Sequence, residues 1–396
     1  MSIVPAVTAR PERLWAALLA ATLLNLPLGS VYSFSVFLRP IELELAIPRS
    51  ALSLVFGMAT VGFTVGSVGA AYVFRIASAP VLIFVSALVA AGGIGIAATA
   101  ADLVQLLIGY GVVFGTGGGV AYILLQQGVN MLVRRRQGLV NGYIVSLYPL
   151  GAMIATPAFH WCNEAFGWRS TMAGLAVVLV GCGAVAALLA RHGGARLTVA
   201  AGTPAAPAAL GLTFFKLSAT FFLAACAGLM VLSQAREIVA AYGGAAALAV
   251  GATTGITGAI ALARVSGGWL VDRFAVGQVM CGAHGLALCG GVLLTAFPSP
   301  VTAVVGLGMV GMGYGFVSGS TAGGIGIYWR PADFGRIAGR TYIAWCAAAV
   351  TLPVLAGYLF DLTRGYGAAV VIAGIGNLAG MALALTLPRR GWRDRA

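Results

Sequence analysis

Charged residues are scarce in this sequence. Asp, Glu, Lys and Arg together make up 8% of the 396 residues, whereas hydrophobic residues make up 60%. A soluble domain carries roughly a quarter charged residues, so this composition excludes an ordinary soluble fold. Apolar stretches of about 20 residues recur along the whole chain, and each can cross a bilayer as a helix. The sequence therefore predicts an all-α membrane protein with many spans.

Catalytic and metal-binding motifs are also missing. The single lysine, Lys216, is not part of a G-K-[ST] loop, and neither H-E-x-x-H nor G-x-S-x-G occurs. The six cysteines have no C-x-x-C spacing, which is typical of buried thiols rather than of disulfides or metal ligands. G-x-G-x-x-G occurs at 306–311, but inside an apolar stretch, where it indicates close helix packing. We expect no enzyme, no cofactor and no metal site.

The distribution of basic residues predicts the topology. Twelve apolar spans can be placed, and a longer Ala-, Pro- and Gly-rich linker at 191–212 divides them into halves at 1–190 and 213–396. With twelve spans both termini share a side, and 17 of the 23 basic residues then fall on that side against 5 on the other. Such a bias marks the cytoplasm. We expect a multi-pass inner-membrane protein with cytoplasmic termini. The net charge of +13 then reflects this topology and interacts with anionic membrane lipids, not with nucleic acid.

A weak internal repeat relates the two halves. Shifting the chain by 198 residues places GAAYVFRIAS at 69–78 on GGWLVDRFAV at 267–276. Two parallel six-helix repeats resemble the architecture of the major facilitator superfamily, whose members bind substrate between the halves. The second copy resembles the cytoplasmic signature of that superfamily through Asp272 and Arg273, while Phe74 replaces the acid in the first copy. Asp272 and Arg273 either latch the cytoplasmic gate or merely complement helix ends.

Arg264 is the one ionised residue well inside a predicted span. Asp272 lies about 12 Å further along the same helix, too far for a direct ion pair. Charges that persist in the hydrocarbon core usually face a cavity. Arg264 therefore either binds an anion or has a structural role, in which it snorkels to headgroups or caps backbone carbonyls. No Asp or Glu lies well within a span, so a carboxylate proton relay is not expected; His160 and His284 either titrate or are simply packed.

Polar aromatic and amide side chains within the spans are candidates to line a cavity, although such residues also populate interfacial belts. They are Tyr32, Tyr122, Gln126, Tyr143, Tyr148, Tyr342 and Trp345.

Four stretches resemble the oxalate/formate antiporter and monocarboxylate transporter branch of the major facilitator superfamily. They are GSVYSFSVFLRPIE, GGGVAYILLQQGVNMLVRRRQGLVNGY, ARVSGGWLVDRF, and FGRIAG with the following LPVLAGYLFD. The resemblance implies that Arg264 binds the substrate carboxylate and that Tyr32, Tyr122 and Tyr148 shape the pocket. We add Gln126 and Trp345 to the expected substrate site, and Asp272 and Arg273 to the expected gate.

The departures from this branch narrow the substrate. Oxalate exchangers carry a second cation, a Lys, at about the position where this chain has Ala348. Monocarboxylate carriers have an Asp where this chain has Ile260 and a Lys where it has Tyr32. One cation without an acid neutralises one carboxylate, which favours a monoanion. We expect a secondary transporter of a small carboxylate, by proton symport or anion exchange. Efflux of amphipathic compounds and a non-transporting ligand sensor are the alternatives.

Overall fold

The computed structural model describes residues 11–197, 210–389 and 391. Part of the predicted linker, 198–209, and several arginines used to predict the topology, including Arg10 and Arg393, lie outside these residues. All regular structure in the described residues is helical, in agreement with the predicted fold class.

Seven α-helices lie in the described residues 11–197, which we refer to as the first half. They are α1 (Pro11–Leu28), α2 (Ser35–Leu45), α3 (Arg49–Val73), α4 (Ala79–Ala98), α5 (Leu103–Leu106), α6 (Gly115–Asn130) and α7 (Gln137–His192). A 3₁₀ segment, Gly29–Ser33, joins α1 to α2, and a π-helical segment, Leu107–Phe114, joins α5 to α6. The 3₁₀ segment begins where α1 approaches the main chain of Tyr148 so closely that a side chain on Gly29 would collide with it.

Seven more α-helices lie in the described residues from 210 onwards, which we refer to as the second half. They are α8 (Gly211–Ala241), α9 (Ala246–Val271), α10 (Val276–Ala296), α11 (Pro300–Tyr328), α12 (Phe334–Ala349), α13 (Leu352–Thr363) and α14 (Gly367–Leu385). Pro353, at the start of α13, lacks the N–H that would continue α12, so this crossing is made of two helices.

Eleven helical stretches of the described residues are long and apolar enough to cross a membrane. One of them, α7, has 56 residues and contains a break at Gly167, where φ is 80° and ψ is 161°. Gly167 adopts this left-handed conformation without steric cost because it has no Cβ. α7 therefore supplies two crossings, and the total of twelve agrees with the number predicted from hydropathy.

The two halves meet along two helix pairs that the internal repeat relates to each other. In the first pair, Gly138 of α7 lies against Gly268 of α9, and a Cβ on either residue would collide with the main chain of the other. In the second pair, Gly339 of α12 lies equally close to the backbone of Ser67 on α3. Small residues at both crossings allow the backbones to approach, so the halves are in contact at the end where α9 leaves the membrane.

A polar cluster fixes the opposite end of the first half. The Glu44 carboxylate, at the end of α2, accepts hydrogen bonds from Trp168 Nε1 and, at 2.8 Å, from Arg169 Nε. Arg169 also donates to the carbonyl of Ala98 at 3.0 Å, so three separate helices are joined. The hydrogen bonds from Arg169 and Trp168 lower the pKa of the Glu44 carboxyl.

We expect Glu44→Gln to lower the melting temperature of the purified protein modestly and to flatten its dependence on pH. A carboxyl whose pKa falls on folding stabilises the fold fully above the unfolded pKa, about 4.3, and loses this effect as the pH falls through the folded value. Thermal unfolding in detergent from neutral to acidic pH measures this. Glu237→Gln, an exposed acid on α8, is the control. Equal pH profiles for wild type and Glu44→Gln would contradict the assignment.

Candidate functional site

Arg264 lies on α9 and is 4% exposed. Its NH1 donates to the main-chain carbonyl of Val145 on α7 at 2.9 Å, and its NH2 donates to the hydroxyl of Tyr314 on α11 at 3.1 Å. Nε is buried and donates no hydrogen bond within the described residues. The guanidinium also lies beside the face of the Tyr314 ring, with Cζ 5.3 Å from the ring centroid. The charge is thus held by neutral groups from both halves.

A cavity lies against Arg264, between the halves. Its free volume is about 30 Å³, which is room for roughly two water molecules. Both halves contribute aromatic residues to its lining, which includes Tyr32, Phe56, Phe63, Tyr122, Tyr148, Phe221, Tyr314, Tyr342 and Trp345. Among the described residues that line it, Arg264 carries the one full charge, and none is an Asp or Glu.

The structure brings five of the six residues expected at the substrate site to this cavity. Arg264, Tyr32, Tyr122, Tyr148 and Trp345 all line it. The sixth, Gln126, lies one helical turn further along α6 and is 1% exposed. Its Nε2 donates to the hydroxyl of Tyr122 at 3.2 Å, so Gln126 contacts the lining rather than the space itself.

Sequence reasoning missed Tyr314 and Phe63. Tyr314 contacts Arg264 and also accepts a hydrogen bond from Trp345 Nε1 at 3.1 Å. Phe63 lies at the centre of the aromatic cluster, with its centroid within 5.8 Å of those of Tyr122, Tyr148 and Trp345. The glycines around Tyr314 indicated only helix packing. One signal was available: the shift of 198 residues also places the Gly-rich stretch that ends at Tyr122 on the Gly-rich stretch that contains Tyr314.

The hydroxyl groups of the cavity have more protons than they use among themselves. A tyrosine hydroxyl has one proton and two acceptor positions. Both acceptor positions of Tyr314 are taken by Arg264 and Trp345, so its proton remains free for another acceptor. Tyr122 and Tyr342 share one hydrogen bond of 2.6 Å, which leaves one of their two protons unused. The hydroxyl of Tyr148 is buried without a partner in the described residues. The lining is therefore rich in donors and carries one positive charge, an arrangement suited to an anion.

Asp272, expected at the gate, connects the halves. Its two carboxylate oxygens accept hydrogen bonds from the backbone N–H groups of Gly138 and Leu139 at 2.8 and 2.9 Å. These N–H groups belong to the first turn of α7, which has no intrahelical acceptors for them, and a carboxylate there also complements the helix dipole. Arg273, in the turn after α9, instead stacks on Trp269 of α9, with Cζ 3.8 Å from the ring centroid. The helix end that Asp272 caps thus lies in the other half.

Gln127 makes the corresponding contact at the other helix pair. Its Oε1 accepts a hydrogen bond from the N–H of Gly335, in the first turn of α12, at 2.7 Å. Its Nε2 donates to the carbonyls of Pro331 and Leu197 at 3.1 and 3.0 Å. Phe74, which replaces the acid of the repeat, lies against the same Gly335. The neutral amide of Gln127 on α6 therefore caps α12. The internal repeat did not predict this cap.

His160 and His284, the two histidines considered for titration, both lie away from the cavity. His160 is exposed on α7, with Nε2 3.4 Å from the Glu164 carboxylate. His284 is fully buried on α10, where Nδ1 is 2.8 Å from Oδ1 of Asn377 on α14. Gly380 leaves room for its ring. Neither residue contacts Arg264 or the tyrosine network in the described structure.

Comparison with known proteins places these features in a family. The family description "Major Facilitator Superfamily" matches residues 18–351. Monocarboxylate transporter 13 of Bos taurus is 26% identical over 399 residues, covering 94% of this chain and 89% of that protein. Monocarboxylate transporter 11 of Mus musculus is 26% identical over 369 residues, covering 81% and 75%.

Solved structures agree on the fold. FucP, a major facilitator transporter in the outward conformation, superposes with a TM-score of 0.73 at 13% identity, covering 95% of this chain and 99% of that chain. The proton:xylose symporter XylE superposes with a TM-score of 0.72 at 14% identity, covering 95% and 96%. At these identities the likeness concerns the fold alone, and it agrees with the arrangement that the sequence predicts.

Proposed function

Because this chain belongs to the Major Facilitator Superfamily and is a multi-pass membrane transporter, we propose that it moves a small organic monoanion of the monocarboxylate class by alternating access. The observation that carries the proposal is the charge of the cavity. A single guanidinium faces a lining rich in hydroxyl donors and without a carboxylate. The names of the distant relatives in Bos taurus and Mus musculus support the same substrate class.

The charge balance favours one carboxylate over two. A guanidinium and a carboxylate match in a bidentate pair, which neutralises both charges in a site with little water. A second carboxylate on the same small substrate would have no cation among the lining residues, and an unpaired charge in such a site is costly. Monoanions are therefore preferred to oxalate.

The same inventory disfavours a sugar, although FucP and XylE share the fold. Sugar hydroxyls need acceptors for their protons as well as donors. The hydroxyls of the described lining can accept as well as donate, but the positive charge of Arg264 would stay uncompensated beside a neutral sugar. A carboxylate, which accepts through both oxygens, neutralises that charge.

Transport requires the halves, 1–190 and 213–396, to rock against each other with the linker 191–212 between them. In this proposal the protein lies in the inner membrane, and both of its termini are in the cytoplasm. Asp272, directly after α9, and Gln127 on α6 then stabilise closure of the cytoplasmic end, because each caps a helix of the opposite half. Arg273 supports the gate indirectly, by stacking on Trp269 beside the Gly268 crossing.

Uptake into proteoliposomes tests the proposed function. We expect saturable uptake of at least one of radiolabelled formate, acetate, pyruvate and L-lactate, inhibited by unlabelled monocarboxylates but not by their methyl esters. Oxalate, D-xylose and L-fucose serve as comparison substrates. Uptake of a sugar without any carboxylate would overturn the proposal. Export of amphipathic drugs alone would favour efflux, and binding without any transport would favour a sensor.

A further inference from the structure

The hydrogen bond between Arg264 and Val145 joins the two halves inside the membrane. NH1 of Arg264 on α9 reaches the carbonyl of Val145 on α7, 119 residues away in sequence, at 2.9 Å. Both residues are buried, each with 4% exposure. This is a connection between a side chain that carries the site's charge and the backbone of the opposite half.

A carbonyl in the middle of a helix is normally engaged by the N–H four residues later. The residue four positions after Val145 is Pro149, which has no N–H. The Val145 carbonyl is therefore freed within α7, and an unsatisfied carbonyl inside a membrane is strongly unfavourable. Arg264 supplies the missing donor, while the carbonyl supplies an acceptor to a buried cation. The guanidinium and the carbonyl thus each provide the hydrogen-bond partner that the other lacks.

The two protein acceptors bind the terminal nitrogens of Arg264, which an end-on carboxylate would also use. NH1 donates to Val145 and NH2 donates to Tyr314. A carboxylate that binds the guanidinium end-on in bidentate fashion uses these same two nitrogens. The substrate therefore competes with these neutral oxygens of the protein for NH1 and NH2, and a negatively charged oxygen is the stronger partner. When NH1 changes partner, this hydrogen bond between α9 and α7 inside the membrane is broken.

We propose that the Val145 carbonyl, freed by Pro149, is an internal substitute for the substrate carboxylate that lets the halves close around Arg264 without cargo. This inference rests on the proposed function and adds its regulation. A carrier whose charged site can be satisfied by its own backbone can return empty, and so it can catalyse net transport. A carrier that lacks such a substitute closes only with substrate bound and is restricted to exchange. Pro149 and Val145 are positioning residues, since they act through Arg264.

Pro149→Ala tests the proposal, because alanine gives position 149 an N–H that can engage the Val145 carbonyl. With the monocarboxylate that the wild type takes up fastest, we expect net uptake to fall about tenfold relative to exchange across preloaded proteoliposomes. The apparent affinity for the carboxylate should rise, because its competitor is weakened. Pro149→Gly restores the same N–H in a more flexible helix and should change both quantities in the same direction.

Pro157→Ala is the matched control, since Pro157 interrupts the same helix at an exposed position outside the cavity. It should leave the ratio of net uptake to exchange unchanged. An unchanged ratio in Pro149→Ala and Pro149→Gly would overturn the proposal. So would an equal reduction in Pro157→Ala, because that would show a general effect of helix stiffness.

A second measurement does not depend on the substrate. Ser318→Cys, in a background without the six native cysteines, places a thiol in the lining of the cavity. In carboxylate-free buffer, adding Pro149→Ala should increase its labelling by a membrane-impermeant thiol reagent about tenfold, because closure is weakened. Equal labelling with and without Pro149→Ala would overturn the internal substitute. If the wild type transports no carboxylate, the proposed function fails, while this labelling still decides whether the carbonyl holds the halves closed.

Discussion

Arg264→Gln is expected to abolish carboxylate transport while the protein remains folded in the membrane. A bidentate carboxylate would lose two charge-assisted hydrogen bonds, each worth about 1.5–3 kcal/mol. The expected loss in affinity is therefore about 100-fold or more. The effect is large because Arg264 carries the one full charge in the described lining, so no neighbouring cation can compensate.

Arg264→Lys distinguishes the contribution of the positive charge from that of the planar guanidinium geometry. An ammonium keeps the positive charge but offers no planar pair of donors, so partial binding with slower transport is expected. Arg236→Gln, which removes an exposed arginine on α8 outside the lining, is the matched control and should transport normally. Uptake rates and the amount of folded protein are measured for all three variants. Normal uptake by Arg264→Gln would rule out Arg264 as the anion site.

Gly268→Ala is expected to prevent closure of the end where α7 and α9 cross. A Cβ at Gly268 would lie within 3.0 Å of backbone atoms of Gly138 and Gly142, and main chain cannot move aside as a side chain can. Overpacking of this kind costs about 1–3 kcal/mol, which shifts the closing equilibrium about 5- to 150-fold. We expect transport to fall at least about tenfold while carboxylate binding persists.

Side-specific labelling reports this shift. In the Ser318→Cys background, Gly268→Ala should increase labelling of the thiol from the cytoplasmic side and not from the external side. The matched control is Gly255→Ala on the same helix, where an added Cβ meets no atom within 4 Å. Its transport and labelling should equal those of the unmodified protein. If Gly268→Ala also behaved in this way, the glycine crossing would not be part of the gate.

Much of the fold followed from the sequence because a bilayer restricts the possible structures so strongly. Every backbone group in lipid must be bonded internally, so long apolar stretches form helices, and counting them gave the twelve crossings. Local interruptions were harder to predict. The break at Gly167 fell between two predicted spans, whereas the division of the eleventh crossing at α12 and α13 depends on Pro353 and was not anticipated.

The site was predicted only where one residue type carried the signal. A buried arginine without an acid indicated a cavity, and Arg264 does line one. Its partners were not predictable, because Tyr314 and Val145 lie on helices that only the tertiary structure brings together. Nevertheless, the sequence contained one usable clue in Pro149, since a proline frees the carbonyl four residues before it. No such clue pointed to the cap made by Gln127. Phe74 showed only that the first copy of the repeat lacks the acid, and not which residue replaces its function.

Calorimetric titration of the purified protein shows whether Arg264 binds the carboxylate of a monoanion. L-lactate and L-lactamide have nearly the same shape, but only lactate carries a charge. If the protein transports a different monocarboxylate, that acid and its amide replace this pair. We expect the wild type to bind the carboxylate and not the amide, and Arg264→Gln to bind neither. Equal binding of carboxylate and amide by the wild type, or an undiminished preference for the carboxylate in Arg264→Gln, would rule out Arg264 as the carboxylate site.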